Sequence, residues 1–162
     1  NAVPPDYINW DENKKIEFFA TNAAALPEED LGDNIANDTI NSIKAIKTIQ
    51  QHNGERGCNR YIISQCNSVL NVIEVYGLFV LCGWEKDAMK IDIVPLFETI
   101  DDLLRAPEIM RTLYSNKEYA KHLQQRNNRQ TIMLGFSDGT KDGGYLMANW
   151  GIYKAREELT AI

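Results

Sequence analysis

Two carboxylates stand just past the ends of two apolar runs. Glu98 closes Ile91-Asp92-Ile93-Val94-Pro95-Leu96-Phe97, and Asp138 closes Thr131-Ile132-Met133-Leu134-Gly135-Phe136-Ser137. Both run straight into helix-start chemistry. A buried parallel strand that ends in a carboxylate delivers it to the C-terminal mouth of a sheet or barrel, where ligands and metals bind. Magnesium and manganese take hard oxygen ligands and keep several waters, so one or two carboxylates plus substrate oxygens complete the shell. Glu98 and Asp138 would supply the protein's share. Lys141, one helical turn beyond Asp138, would bring an ammonium to the substrate side and neutralise a phosphate or a developing enolate. The run Gly139 to Gly144, read as a glycine-rich turn opening a helix, would offer backbone N–H groups to the same anion, with Gly139 and Gly143 on the substrate side. It matches neither G-x-x-x-x-G-K-[ST] nor G-x-G-x-x-G, so it is not a nucleotide signature.

Each group also has a plainer reading. An acidic residue after a strand is most often a helix cap or a solvated turn residue. Lys141 alone would be a surface lysine, and Gly143-Gly144 could serve only tight turning. Ser137 lacks the G-x-S-x-G elbow and has no His and Asp partners placed for it, which argues against nucleophilic hydrolysis. His52 and His122 lie on polar stretches and are expected at the surface. Trp10, Trp84 and Trp150 are expected to pack. Pattern alone leaves a metal-and-anion site and a structural origin both open.

The elements that must position these groups alternate. Asn9 with Glu12 has the form of a capping arrangement for a helix carrying Ile16, Phe19 and Ala23, ended by Pro27 and Glu28-Glu29-Asp30. A second helix carries Ile35, Ile43, Ile46 and Ile49 and stops at Asn53-Gly54, where glycine takes the left-handed cap. Arg60 to Ser64 reads as a first buried strand. The most apolar segment, Val69 to Leu81, reads as a buried helix closing at Gly83, and it is shorter than the roughly 20 residues of a membrane span. Ile91 to Phe97 is the second strand. Thr99 with Asp102 starts another helix, Pro107 divides that region at a first-turn position, and a helical stretch spans Tyr114 to Gln125. The third strand is Thr131 to Ser137, and Leu146, Trp150, Tyr153 and Leu159 pattern a last helix. Three apolar strands between long helices call for βα crossovers and a parallel sheet. An open sheet usually has about five strands, so three look like an arc of something larger: a helix-rich α/β fold, a partial TIM-like (β/α) barrel. Residues 1–162 read as one domain, with 1–57 a helical segment and 58–162 the βα units.

Composition narrows the function classes. A net charge of −6 with no basic run argues against a nucleic-acid groove and an anionic membrane surface. Cys58, Cys66 and Cys82 are odd in number and form no C-x-x-C pair, which points to free thiols in a reducing compartment and no structural zinc. The chain opens on Asn1 instead of methionine, with no leader pattern, and reads as a cut or vector-derived end.

The segment Ile93-Val94-Pro95-Leu96-Phe97-Glu98-Thr99, followed by Met133-Leu134-Gly135-Phe136-Ser137-Asp138-Gly139-Thr140-Lys141-Asp142-Gly143-Gly144, closely resembles the central barrel of phosphoenolpyruvate carboxylases of the bacterial type. The resemblance extends to Tyr61-Ile62-Ile63-Ser64 and to Trp150 through Leu159, covering the chain from Arg60 onward. It implies that Glu98 and Asp138 ligate the catalytic Mg2+ or Mn2+ and that Lys141 sits near the substrate phosphate. The residue after the metal aspartate is commonly serine in the family and is Gly139 here, which removes a hydroxyl. The implied reaction is carboxylation of phosphoenolpyruvate by bicarbonate, giving oxaloacetate and phosphate through carboxyphosphate and a metal-stabilised enolate. The implied setting is cytoplasmic and anaplerotic, in a parent that is a homo-oligomer, a tetramer by resemblance. The family's catalytic histidine, an upstream barrel arginine and its F-H-G-R-G-G loop have no counterpart here, so this polypeptide alone is expected not to turn over substrate. Two other readings stand beside this one: a non-catalytic α/β interaction module that pairs through exposed strand edges, and another metal-dependent barrel enzyme of pyruvate or phosphoenolpyruvate.

Overall fold

A computed structural model of the chain describes residues 3–21, 26 and 31–162. Ala23, Pro27, Glu28, Glu29 and Asp30, assigned above to the end of the first helix, lie outside the described residues. The element order is α1 (Glu12–Thr21), α2 (Asn34–Asn53), β1 (Arg60–Ile63), α3 (Val69–Leu81), β2 (Asp92–Phe97), α4 (Ile100–Ser115), α5 (Lys117–Gln125), β3 (Met133–Leu134) and α6 (Phe136–Leu159). The strands form an open parallel sheet in the order β1-β2-β3. Arg60 pairs with Asp92 and Ile63 with Pro95, while Leu96 and Phe97 pair with Met133 and Leu134. The fold is thus the helix-rich α/β arrangement with three parallel strands. No helix among the described residues is long and apolar enough to cross a membrane.

The central strand explains itself. Ile93, Val94, Pro95 and Phe97 are buried, as in a strand covered on both faces. Around it the core gathers α3 (Val72, Ile73, Tyr76, Phe79) and α4 (Leu103, Ala106, Met110, Leu113). Helix α1 docks on α3 where Gly77 leaves room for Phe19. Its start is capped by Asp11, whose Oδ1 accepts the Lys14 N–H at 2.9 Å, instead of by the Asn9–Glu12 pair. Gly54 (φ 78) and Gly83 (φ 84) end α2 and α3 in the left-handed region, as expected. Cys58, Cys66 and Cys82 are free thiols, and burial, aided by the Asp102 charge, pushes the Cys66 thiol up to about 12.

Several boundaries differ from the sequence expectation. The third strand shrinks from Thr131–Ser137 to Met133–Leu134. Two facts account for this: Pro95 has no N–H for the ladder, and the Gln130 side chain takes the Ile93 carbonyl at 2.8 Å, replacing a strand bond. Pro107 lies in the interior of a continuous α4 instead of at a helix start. An interior proline costs about 3 kcal/mol, but Leu103, Ala106, Met110 and Leu113 are buried on the same helix, and a large apolar side chain contributes about 1.5–3 kcal/mol when fully buried. The stretch Tyr114–Gln125 is broken at Asn116, whose side chain caps α5 at Glu118 N and Tyr119 N, both at 3.1 Å.

Two surface expectations are reversed. His122 is 1% exposed, packed beside Tyr76 and Tyr119. Trp84 packs as expected, but Trp150 is 59% exposed, and so are Leu146 (81%) and Tyr153 (56%). The last helix turns its small residues inward: Ala148, Gly151 and Ala155 are buried, with Ile152 and Leu159 packed beside them. Small residues permit the closest approach to α4, where a Cβ on Gly151 would stand 3.2 Å from Leu103 Cδ1. Periodicity marked an apolar face correctly but not which of two faces is covered.

Candidate metal centre

Glu98 is the first residue beyond β2, and Thr99 then opens α4 by a reciprocal cap: Thr99 Oγ1 accepts Asp102 N at 3.1 Å, and Asp102 Oδ2 accepts Thr99 N at 3.1 Å. This is the expected helix start. Asp138 sits differently from the expectation. Helix α6 begins at Phe136, so Asp138 belongs to its first turn and Gly139–Gly143 continue that helical segment, while Gly144 (φ 80, ψ 166) is a non-helical break after which the helix restarts, so only the end of the glycine run opens a helix. Gly139 N donates within the helix to Gly135 O at 3.4 Å. The first-turn N–H groups that an anion would meet are therefore those of Phe136, Ser137 and Asp138.

The glycines bring the two elements together by what they lack. A Cβ on Gly135 would stand 3.1 Å from Glu98 Cα and 3.2 Å from Phe97 O. On Gly139 it would stand 3.4 Å from Glu98 O, and on Gly143 2.6 Å from Ile100 Cγ1. Residues four apart share a helix face, so Gly135, Gly139 and Gly143 form a side-chain-free strip lying on the Phe97–Ile100 turn. Gly135 N also donates to Phe97 O at 2.7 Å. Asp138 flanks that strip, adjacent to Gly139. Glu98 and Asp138 therefore stand at the same end of the sheet, on segments in backbone contact.

Each carboxylate already has a partner. Glu98 Oε2 accepts the Gln65 N–H at 3.0 Å, and Gln65 is held at φ 51, in the left-handed region that non-glycine residues rarely adopt. Asp138 Oδ1 pairs with Lys141 Nζ at 3.0 Å, both side chains being more than half exposed. No group of three or more His, Cys, Asp or Glu side chains stands ready to hold a metal among the described residues. Glu98 and Asp138 could offer two hard carboxylates, a share that would suit a water-rich ion such as Mg2+ or Mn2+ better than zinc.

Clefts of about 400–570 Å3 lie elsewhere, and Glu98, Asp138 and Lys141 line none of them. Three contributors escaped the sequence reading. The Gln65 N–H carried no signal, since its role depends on a backbone turn. Gly135 reads only as a strand residue, and Asp142, inside the motif, gave no hint that its carboxylate accepts Ile100 N at 2.9 Å.

Comparison with known proteins covers nearly the whole chain. The family model described as phosphoenolpyruvate carboxylase matches residues 2–162, reaching well before Arg60. The chain is 38% identical over 166 residues to the phosphoenolpyruvate carboxylase of Nitrosomonas europaea, covering 97% of this chain and 18% of that protein. It is similar to that of Nitrosomonas eutropha (38% over 132 residues, 79% of this chain and 14% of that protein). The protein of the same name from Prochlorococcus marinus strain MIT 9515 is 33% identical over 168 residues, 97% of this chain and 17% of that protein. The chain therefore spans under a fifth of the length of these curated relatives.

Proposed function

The chain belongs to the phosphoenolpyruvate carboxylase family, and from that membership we propose that it forms part of the catalytic barrel of an enzyme joining phosphoenolpyruvate and bicarbonate to give oxaloacetate and phosphate. The observation that carries this reading is the backbone contact between the Glu98 turn and the first turn of α6, which sets two carboxylates at the C-terminal end of one parallel sheet. In the proposal the open sheet is an arc of a TIM-like barrel and the parent is a cytoplasmic homo-oligomer.

Glu98 and Asp138 would hold Mg2+ or Mn2+, and the bound ion would supply Lewis-acid stabilisation of anionic substrate oxygens. Lys141 pairs with Asp138 and its side chain is exposed at the surface. Exchanging that carboxylate for a substrate phosphate leaves its charge paired throughout. The first-turn amides of α6 add partial positive charge on the same side. Because the chain spans under a fifth of its relatives' length, the reaction is proposed for the full-length parent.

The test is Glu98→Gln and Asp138→Asn in the full-length parent, assayed for bicarbonate-dependent oxaloacetate formation. Loss of metal-dependent carboxylation by either variant is expected. Activity equal to the unsubstituted enzyme would remove the proposed roles and leave the non-catalytic interaction module, whose strand edge at the half-exposed Ile62 is present on β1.

A further inference from the structure

We propose that Asp142 is a positioning residue for the two-carboxylate site, holding the Glu98 turn against the helix that carries Asp138. The inference rests on the reading of those two carboxylates as metal ligands. Ile100 is the first residue of α4, and its N–H has no partner within its own helix. The Thr99–Asp102 cap serves Thr99 N and Asp102 N only. Ile100 N is served instead from α6, by Asp142 Oδ2 at 2.9 Å, across 42 residues of sequence.

Two hydrogen bonds to one helix therefore bracket Glu98. Before it, Gly135 N holds Phe97 O at 2.7 Å, and after it, Asp142 holds Ile100 N at 2.9 Å. Asp138 lies between the two attachment points on that helix, one turn from Asp142. The bracket fixes both ends of the segment that carries one carboxylate against the segment that carries the other. Gly143 makes the second attachment possible, since any side chain there would meet Ile100. A carboxylate at the start of α4 is also favoured by the helix's positive end. Partners bonded directly to a ligating side chain typically change metal affinity about 10–100-fold; Asp142 acts one step further out, on the backbone that carries Glu98, which puts its effect at the low end of that range.

Three variants of the full-length parent test this, with Mn2+ binding read directly from the free-ion electron paramagnetic resonance signal and, separately, from the half-activating Mn2+ concentration. Asp142→Ala is expected to weaken Mn2+ binding about tenfold, while Asp142→Asn, which keeps an acceptor oxygen, stays close to the unsubstituted protein. Ile100→Pro removes the same bond from the donor side, at a first helical position that suits proline. It should show at least the Asp142→Ala loss, since it also removes a side chain packed on α6, and adding Asp142→Ala to it should cost nothing further. Unchanged Mn2+ affinity in Asp142→Ala, or an Asp142→Asn loss as large, would overturn the positioning role, the second outcome marking Asp142 as a direct ligand or charge. Glu98→Gln and Asp138→Asn in the same binding assay separate the two levels: if they bind Mn2+ normally the ligand reading fails, and if they lose it while Asp142→Ala does not, only the positioning role fails.

Discussion

A Cβ placed on Gly143 would stand 2.6 Å from Ile100 Cγ1 and 3.1 Å from its Cδ1. Replacing Gly143 with alanine gains up to about 1 kcal/mol of helix propensity, but overpacking costs about 1–3 kcal/mol because Cγ1 lies near the backbone and cannot swing away. Gly143→Ala should lower stability in urea unfolding. Combined with Ile100→Ala, the loss should be less than the sum of the two singles, the mark of a direct clash.

The clash at Gly77 is more severe. There a Cβ would fall 2.0 Å from Phe19 Cδ1 and 2.4 Å from its Cγ, and Phe19 is locked by edge contacts with Tyr7 and Phe18. Gly77→Ala is expected to push α1 off α3 and destabilise by about 1–3 kcal/mol. A Phe19→Leu background should soften the effect in thermal unfolding.

His122 gives a pH dependence of known sign. Burial first, and the Arg126 guanidinium second, hold its pKa down at about 4, below its ordinary 6.5. Its Nδ1 has no hydrogen-bond partner. The unfolded chain binds the proton more readily, so this contribution to stability is complete above about pH 6.5 and is lost as pH falls towards 4. Urea midpoints measured from pH 7 to pH 4.5 should fall, and His122→Phe should flatten that decline.

Arg126 joins the helical N-terminal part to the sheet, its Nη2 meeting Glu55 Oε1 and its Nε meeting Asp92 Oδ1, both at 2.6 Å. Its side chain is mostly buried, and removing it takes away the guanidinium that pairs both Glu55 and Asp92. Arg126→Met should cost roughly 3 kcal/mol. Arg126→Lys should recover little, because one ammonium cannot reproduce a planar fork that serves two acceptors. Unfolding in urea at pH 7 measures both.

Much of this architecture was legible because it depends on local rules. The strand β2, the buried α3, the Thr99–Asp102 cap and the glycine stops of α2 and α3 follow from apolar runs, capping residues and backbone freedom. The alternation of strands and helices was enough to indicate a parallel sheet. What escaped depends on contacts distant in sequence. His122 sits on a polar stretch, yet Tyr76 of α3 and Tyr119 of its own helix pack against it. The Gly139–Gly144 run looked like a loop because glycines usually punctuate chains, whereas here Gly139 and Gly143 let one helix touch another segment. The length of β3 was set by Gln130, a side chain that takes a strand's place. At the candidate site the residue types of Glu98, Asp138 and Lys141 carried the chemistry, while the Gln65 amide and the Asp142 cap became visible only in three dimensions.

The left-handed turn at Gln65 reaches beyond backbone geometry. Glu98 Oε2 accepts that amide and keeps one lone pair for an ion, so in the proposed site a one-atom grip through Oε1 leaves the bond undisturbed while a two-atom grip has to share Oε2 with it. Calcium fills a wide shell of six to eight oxygens and commonly draws both from one carboxylate, whereas the smaller Mg2+ is content with one. If Glu98 holds the ion as proposed, that peptide N–H would favour the smaller ion, and excess calcium added to the manganese-loaded parent is expected to displace little of the bound manganese.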